Sequence, residues 1–213
     1  MYFTLGPLLL GKALPFRDEE PSAIFKHPSS GPVAVGSLGL EGDEQADLTV
    51  HGGIDKAIHH YPYDHYPAWR DELGDHELLA SPGAFGENIS TEGLTEDLVC
   101  IGDRYALGSA VVEVSQGRSP CWKVDHKFQR KDVMKRIVKT GRSGWYYRVI
   151  EPGVVEAGDA IELVGRANDA WSVAHVFALL IQGKEPEGGE LAALAAHPSL
   201  SEEWKKKARA RLS

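Results

Sequence analysis

The most reactive side chain that the sequence offers is the thiol of Cys121. It follows a predicted strand and lies between Arg118 and Lys123, and cationic neighbours favour the thiolate form. A thiolate is both a nucleophile and a ligand for soft metals. The other cysteine, Cys100, stands in an apolar run, which is typical of a small buried hydrophobic residue. Cys121 is therefore the candidate catalytic residue and the candidate metal ligand.

A second segment combines glycine with groups that bind anions. Gly52 and Gly53 stand between His51 and Lys56, and His59 follows. Backbone N–H groups of paired glycines can approach an anion closely, and Lys56 adds a positive charge beside them. The spacing is neither that of a Walker loop nor that of a dinucleotide fingerprint. The alternative is a glycine turn whose histidines lie on the surface.

Two further segments offer polar groups beside glycine. Arg142 and Ser143 stand between two glycines, which suits an arginine held against an anionic group. The alternative is that the first glycine ends a predicted helix over 131–139. Asn88 follows Glu87 next to another glycine, and for that pair taken alone a structural turn is the favoured explanation.

The elements that must position these residues change in type along the chain. Over residues 1–165, glycine and proline separate short apolar runs, which predicts short strands joined by tight turns. Helical spacing of apolar residues predicts helices over 64–73 and 131–139. From residue 166 onward the pattern predicts three short helices. We therefore expect a mainly β fold with α-helices, of the α+β class, with a sandwich or barrel core.

Composition excludes several classes of protein. The 213 residues carry 23 Lys and Arg against 31 Asp and Glu, a net charge of −8 that argues against nucleic acid as a partner. Two cysteines cannot hold an iron–sulfur cluster or an all-cysteine zinc site. No apolar stretch approaches the roughly 20 residues that span a bilayer, and no signal-peptide pattern is present. We expect a cytoplasmic protein that does not interact with membranes.

In combination, the polar segments resemble the MOSC family, named for the C-terminal domain of molybdenum-cofactor sulfurase. The resemblance covers roughly residues 35–165, with the pieces in family order. The matching pieces are GLEGDEQAD at 39–47, HGGIDKA at 51–57, FGEN at 85–88 and RSPC at 118–121. The tail from residue 166 resembles the three-helix extension of the bacterial YiiM-type subgroup. This resemblance implies a MOSC β-barrel domain over 1–165, with short capping helices, and a three-helix extension over 166–213.

The resemblance also implies a cofactor and a reaction. The cofactor is the molybdenum cofactor, a molybdopterin carrying the metal, with Cys121 as the metal's protein ligand. The reaction is the two-electron reduction of N-hydroxylated small molecules to amines, including hydroxylaminopurine base analogues, which would be a detoxification. The residues predicted to bind the cofactor are His51, Gly52, Gly53, Lys56, Asn88, Arg118, Arg142 and Ser143.

The proton and the electrons of this reaction need sources. We predict that His59 or His51 delivers the proton, because an ordinary imidazole titrates near neutral pH. Because the chain has no cluster ligands and no flavin or nicotinamide fingerprint, electrons must come from a separate reductase. The MOSC resemblance raises one further cofactor, pyridoxal phosphate, because MOSC domains can be fused to desulfurase-like domains. We do not expect it here, since 213 residues are too few to contain such a domain as well.

Two other functions stay open at this point. The Cys121 thiolate could carry sulfur or the cofactor without catalysis, or it could serve a Cys–His hydrolase together with His51 or His59. Apolar faces on the terminal helices are compatible with a homodimer.

Overall fold

The computed structural model describes residues 2–17, 20–46, 52–166 and 169–212 of the chain. Short strands dominate the first three quarters. They are β1 (Tyr2–Thr4), β2 (Leu9–Gly11), β3 (Leu14–Arg17), β4 (Glu20–Ser22), β5 (Lys26–Pro28), β6 (Val33–Gly36), β7 (Gly39–Leu40), β8 (Ile58–His60), β9 (Arg104–Leu107), β10 (Ala110–Gly117), β11 (Trp145–Glu151), β12 (Gly153–Val155) and β13 (Ala160–Gly165).

The helices are short, and three of them follow the last strand. They are α1 (His65–Leu73), α2 (Trp122–Lys127), α3 (Val133–Thr140), α4 (Val173–Leu180), α5 (Glu190–Ala196) and α6 (Glu202–Ala210), with 3-10 turns at Ile54–Lys56 and Glu77–Ala80. Side-chain caps begin two of them: Ser172 accepts a hydrogen bond from the N–H of His175, and Ser201 accepts one from the N–H of Trp204. None of the helices in the described residues is long and apolar enough to cross a membrane.

A six-stranded antiparallel sheet is the centre of the fold. Its strand order is β1-β13-β9-β10-β11-β8, and it curls into a half barrel. A three-stranded sheet, β12-β6-β7, and two hairpin-like pairs, β2-β5 and β3-β4, surround it. The mainly β prediction with a C-terminal group of three helices is confirmed.

One hydrophobic core joins the sheet to the C-terminal helices. Tyr147 and Val112 of the sheet belong to the same buried cluster as Phe177 of α4, Leu194 of α5 and Trp204 of α6. The helices therefore bury their apolar faces against the sheet. This packing stabilises helices that are too short to be stable in isolation. The domain boundary that we place between residues 165 and 166 remains a prediction.

A β-bulge in β10 ties the C-terminal helices to the turn before β8. The β10–β11 register shifts between Val114 and Gln116, which leaves Ser115 unpaired. The Ser115 hydroxyl donates to the backbone oxygen of Asp55, and its own carbonyl accepts from the N–H of Ser201 at 3.0 Å. The start of α6 and the turn at residues 54–56 are thus attached to the same point of the sheet.

The sequence predicted all of these helices but one. The predictions over 64–73 and 131–139 correspond to α1 and α3, and Gly141 ends α3 in the left-handed region at φ 76°, as the alternative interpretation of that glycine required. Helix α2 was missed because its six residues are too few for a helical period to be visible. Cys100 is buried, as predicted.

Candidate functional site

An open cleft at one end of the central sheet gathers five of the predicted site residues. It is lined by Lys56, His59, Asn88, Arg118 and Cys121, which come from separate parts of the chain. The sequence did not predict several other lining residues, among them Lys26, Asp43 and Tyr146. Lys123, which the sequence placed near Cys121, lines the cleft as well.

Arg118 and Cys121 follow the end of β10. The Arg118 N–H donates to the Gly144 oxygen at 3.0 Å, which fixes the backbone where the strand stops. Its side chain is buried, and Nη1 has no hydrogen-bond partner. Cys121 precedes the first residue of α2 and is a partly exposed free thiol. A buried guanidinium with an unpaired N–H is costly unless a ligand accepts from it.

His59 lies on β8 with its ring against Tyr146, at 5.0 Å between ring centroids. Burial, together with the nearby Arg118 guanidinium, lowers the pKa of His59 well below its usual range. The ring is therefore neutral at pH 7, and Nε2 has no hydrogen-bond partner. Our expectation that His59 delivers a proton assumed an ordinary pKa, and that assumption is wrong.

Asn88 connects cleft residues to one another. Its Oδ1 accepts from the N–H of His59 at 3.0 Å, and its Nδ2 donates to the oxygen of Leu9 at 3.0 Å and to Asp43 Oδ2 at 2.8 Å. All its usual donors and one acceptor are used within the protein. The contacts of Asn88 are thus those of a residue that positions the walls of the cleft.

A buried ion pair forms part of the same wall. Lys26 Nζ contacts Asp43 Oδ1 at 2.5 Å, and each side chain is only 7% exposed. Burial lowers the pKa of Lys26, although Asp43 opposes this shift. On another wall, Lys123 Nζ contacts Glu20 at 3.1 Å and donates to the oxygen of Pro21 at 3.0 Å. The cleft is therefore rich in cations that are held in place by carboxylates and carbonyls.

The glycine turn does not offer its N–H groups in the way that the sequence suggested. The N–H of Gly53 donates to Gln45 Oε1 at 3.0 Å, and Gln45 Nε2 donates to the oxygen of Lys56 at 3.2 Å. Because Gln45 accepts this hydrogen bond, the Gly53 N–H is not available to an anion. Our expectation that Gly53 binds the cofactor through its N–H is therefore corrected. Gly52 does not line the cleft. His51 lies outside the described residues.

Arg142 and Ser143 lie elsewhere, and Arg142 has protein partners there. Its guanidinium lies over the ring of Trp69, at 4.2 Å from the centroid, and forms an ion pair with Glu72. The N–H of Ser143 donates to Glu96 Oε1 at 2.9 Å. Neither residue lines the cleft, so the structure does not bring them together with Cys121.

The missed residues had little signal in the sequence. Tyr146 lies in an aromatic strand whose neighbours, Trp145 and Tyr147, are buried in the core. Burial raises the pKa of the Tyr146 hydroxyl, which Arg118 opposes, so the phenol keeps its proton at neutral pH. Lys26 stands among ordinary residues of a short strand, and only the fold places it at the cleft.

The cleft can be tested for its fit to a metal-bearing anionic cofactor. In the described part of the chain, no three His, Cys, Asp or Glu residues are grouped to hold a metal ion. One thiolate could supply one soft ligand, so the remaining ligands would have to come with the cofactor. The unpaired Arg118 Nη1 and the cations Lys26, Lys56 and Lys123 suit a negatively charged group. The donor set fits such a cofactor.

Two known protein families match this chain, each over a separate range of residues. Residues 47–162 match the MOSC domain family. The chain belongs to the MOSC family. Residues 171–213 match a second family, the YiiM-like, 3-alpha helix domain. The MOSC domain and the helix group thus occur together in this chain.

Relatives of this MOSC protein extend over most of its length. It is 47% identical over 160 residues to "Protein YiiM" of Escherichia coli, a match that covers 75% of this chain and 71% of that protein. It is 43% identical over 159 residues to a protein named "Reductase" of Gibberella moniliformis, covering 74% of this chain and 28% of that protein. The crystal structure of YiiM from Geobacillus stearothermophilus superposes with a TM-score of 0.84 at 36% identity, covering 99% of this chain and 100% of that one.

Proposed function

We propose that this MOSC protein binds the molybdenum cofactor at the cleft and reduces N-hydroxylated small molecules to amines. The observation that carries the proposal is the cleft itself, which combines the accessible thiol of Cys121 with the buried, unpaired Nη1 of Arg118. Membership of the MOSC family and the relative named "Reductase", of which this chain covers 28%, support an oxidoreductase.

The chemistry of the proposed reaction needs two electrons and two protons. R–NHOH, two protons and two electrons give R–NH₂ and water, so the N–O bond breaks and one proton leaves with the hydroxyl oxygen. When it is bound, the cofactor's metal supplies the two-electron redox capacity that the chain itself lacks. We propose that a separate reductase provides the electrons.

The side chains of the cleft have separate roles in this proposal. Cys121, as a thiolate, holds the metal, while Arg118 and Lys56 bind the anionic part of the cofactor. Neutral His59 offers Nε2 for a hydrogen bond to a bound ligand. Because burial lowers its pKa, the ring is not protonated at neutral pH. The Tyr146 hydroxyl, which keeps its proton, can donate a hydrogen bond into the cleft.

The hydrolase alternative finds no support in the geometry around His59. A Cys–His hydrolase needs the imidazole within hydrogen-bond reach of the thiol. His59 Nε2 has no hydrogen-bond partner, and the other polar contact of its ring is with the Gly86 backbone. The carrier alternative uses the same thiolate and is separated from catalysis only by turnover.

The decisive experiment measures metal and pterin in protein purified without air from a host that makes the molybdenum cofactor. The wild type is compared with Cys121→Ser and with Cys100→Ser, in which the buried cysteine is changed instead. We expect near-stoichiometric molybdenum and pterin in the wild type and in Cys100→Ser, and loss of molybdenum in Cys121→Ser.

Turnover is then measured with a hydroxylaminopurine and reduced benzyl viologen as electron donor. Repeated reduction to the amine by the wild type supports an enzyme, and stoichiometric transfer without turnover supports a carrier. Equal molybdenum content and activity in Cys121→Ser would refute the assignment of the metal ligand.

A further inference from the structure

The C-terminal helix α6 contacts the cleft through an acidic side chain. Glu203 Oε2 lies 2.6 Å from the ammonium nitrogen of Lys56, and Lys56 lines the cleft. Glu203 therefore brings a negative charge from the three-helix extension to a cation that the cleft would use for an anionic ligand. Neither the motifs nor the family comparison assigns a role to this residue.

The contact is held in place from two sides. The N–H of Ser201, at the start of α6, donates to the carbonyl of Ser115, whose hydroxyl donates to the oxygen of Asp55 beside Lys56. On the next turn, the indole of Trp204 is fully buried and lies against Gly117. Glu203 lies between these anchored positions, so α6 cannot move away from Lys56 without breaking contacts to the sheet.

The carboxylate of Glu203 also acts on a second residue of the cleft. The pKa of Tyr146 is raised mainly by burial, which Arg118 opposes, and the carboxylate of Glu203 adds a smaller contribution to the increase. Tyr146 and Lys56 both line the cleft. Two residues of the cleft therefore experience the charge of the same carboxylate.

The two members of the ion pair differ in where they can turn. The Lys56 side chain is 13% exposed, so its ammonium is confined to partners near the cleft, whereas Glu203 is 41% exposed. Glu203 also has a second cation within reach, because its Oε1 lies 3.6 Å from Lys207 Nζ, one turn further along α6. Glu203 can thus release Lys56 without losing a positively charged partner.

We propose that Glu203 is a resident counter-ion of Lys56 which an anionic ligand must displace, so that the three-helix extension sets the affinity of the cleft for phosphate-bearing ligands. This inference rests on the anion-binding part of the proposed function. Displacement transfers Lys56 from a carboxylate to the ligand and leaves Glu203 with Lys207. The bound anion then gains only the difference between the two ion pairs.

The test compares Glu203→Gln with Glu202→Gln in the full chain prepared without cofactor. Both substitutions remove one negative charge from α6, but Glu202 pairs with Lys205 and Arg209, whereas Glu203 pairs with Lys56. The affinity for inorganic phosphate is measured by isothermal titration calorimetry. We expect Glu203→Gln to bind phosphate about fivefold more tightly than the wild type, or about 1 kcal/mol, and Glu202→Gln to match the wild type.

A double-variant cycle identifies the partner of Glu203. In a Lys56→Met background, adding Glu203→Gln should change the phosphate affinity less than twofold. The proposal is overturned if Glu203→Gln and Glu202→Gln bind phosphate equally, or if Glu203→Gln binds it more weakly, since that would make Glu203 a residue that only positions Lys56. It is also overturned if the gain persists without Lys56.

The result is independent of whether the chain is a molybdenum enzyme. Molybdenum and pterin content of the wild type is measured in parallel. If phosphate affinity changes as expected but the protein never contains molybdenum, the proposed function fails and the counter-ion role stands. If molybdenum is present but phosphate affinity does not respond to Glu203→Gln, the counter-ion role fails and the proposed function stands.

Discussion

The indole ring of Trp204 lies directly against the backbone of Gly117. A Cβ atom built on Gly117 would be 2.7 Å from Trp204 Cη2, which is closer than such atoms approach in proteins. Gly117 is the last residue of β10 and precedes Arg118. The absence of a side chain at one position of the central sheet therefore allows α6 to pack beside the cleft.

Replacing Gly117 with alanine should destabilise the protein. The new methyl group meets a buried, rigid ring that cannot move aside, so we expect the free energy of unfolding to fall by about 1–3 kcal/mol. Urea denaturation measures the change. Gly36→Ala, at the end of another strand, is the control, because its Cβ would have no atom closer than 4.0 Å. Equal stability of the two variants would show that the helix is not held by this contact.

Exchanging Asn88 for aspartate should disrupt the wall of the cleft. The new carboxylate keeps the acceptor for the His59 N–H but faces the carboxylate of Asp43 in place of an N–H donor. We expect a loss of about 3 kcal/mol in the free energy of unfolding at neutral pH. Adding Asp43→Asn restores a donor opposite the carboxylate and should recover about half of the loss. No recovery in the double variant would contradict the contact.

Stability should fall with acid because of His60. Its ring is fully buried between Tyr147 and Thr91, at 3.1 and 2.9 Å from their hydroxyl oxygens, and burial lowers its pKa from 6.5 to about 3. The unfolded chain binds a proton near pH 6.5, but the folded chain does not until the pH approaches 3. Lowering the pH from 7 to 4 should therefore remove about 3 kcal/mol from the free energy of unfolding.

The variant His60→Gln isolates that contribution. Glutamine keeps a donor and an acceptor but does not titrate, so urea denaturation from pH 7 to pH 4 should show a clearly shallower decline than in the wild type. Part of the decline should remain, because burial also lowers the pKa of His59. If the two proteins lose stability equally, His60 is not the source.

Arg142 and Arg118 should differ in what they support. Because Arg142 stacks on Trp69 and pairs with Glu72, Arg142→Met should lower the free energy of unfolding by about 1–2 kcal/mol and leave the affinity for inorganic phosphate unchanged. Arg118→Met should weaken phosphate binding at least about tenfold, because a buried guanidinium that faces the cleft is lost. Loss of phosphate binding in Arg142→Met would contradict this prediction and show that Arg142 contributes to anion binding.

Much of the fold could be predicted because its signals are local. Ser172 and Gly141 mark a helix start and a helix end through hydrogen bonds and dihedral angles that involve only a few neighbours. The candidate site was predicted in part: the polar motifs identified Cys121, Arg118, Lys56, His59 and Asn88, all of which line the cleft. Lys26, Tyr146 and Glu203 were missed, because nothing in their own segments distinguishes them from ordinary surface or core residues.

The sequence alone determined which residue types could do chemistry, and it placed a thiol beside cations within a few positions. Only the tertiary structure decided which of these groups meet. In the folded protein, Gly53 donates to Gln45 and Arg142 stacks on Trp69. Burial lowers the pKa of His59, and Glu203 of α6 forms an ion pair with Lys56. The physical reason is that backbone preferences depend on near neighbours, whereas desolvation and ion pairing depend on groups that are distant in the chain and become close only when the core packs.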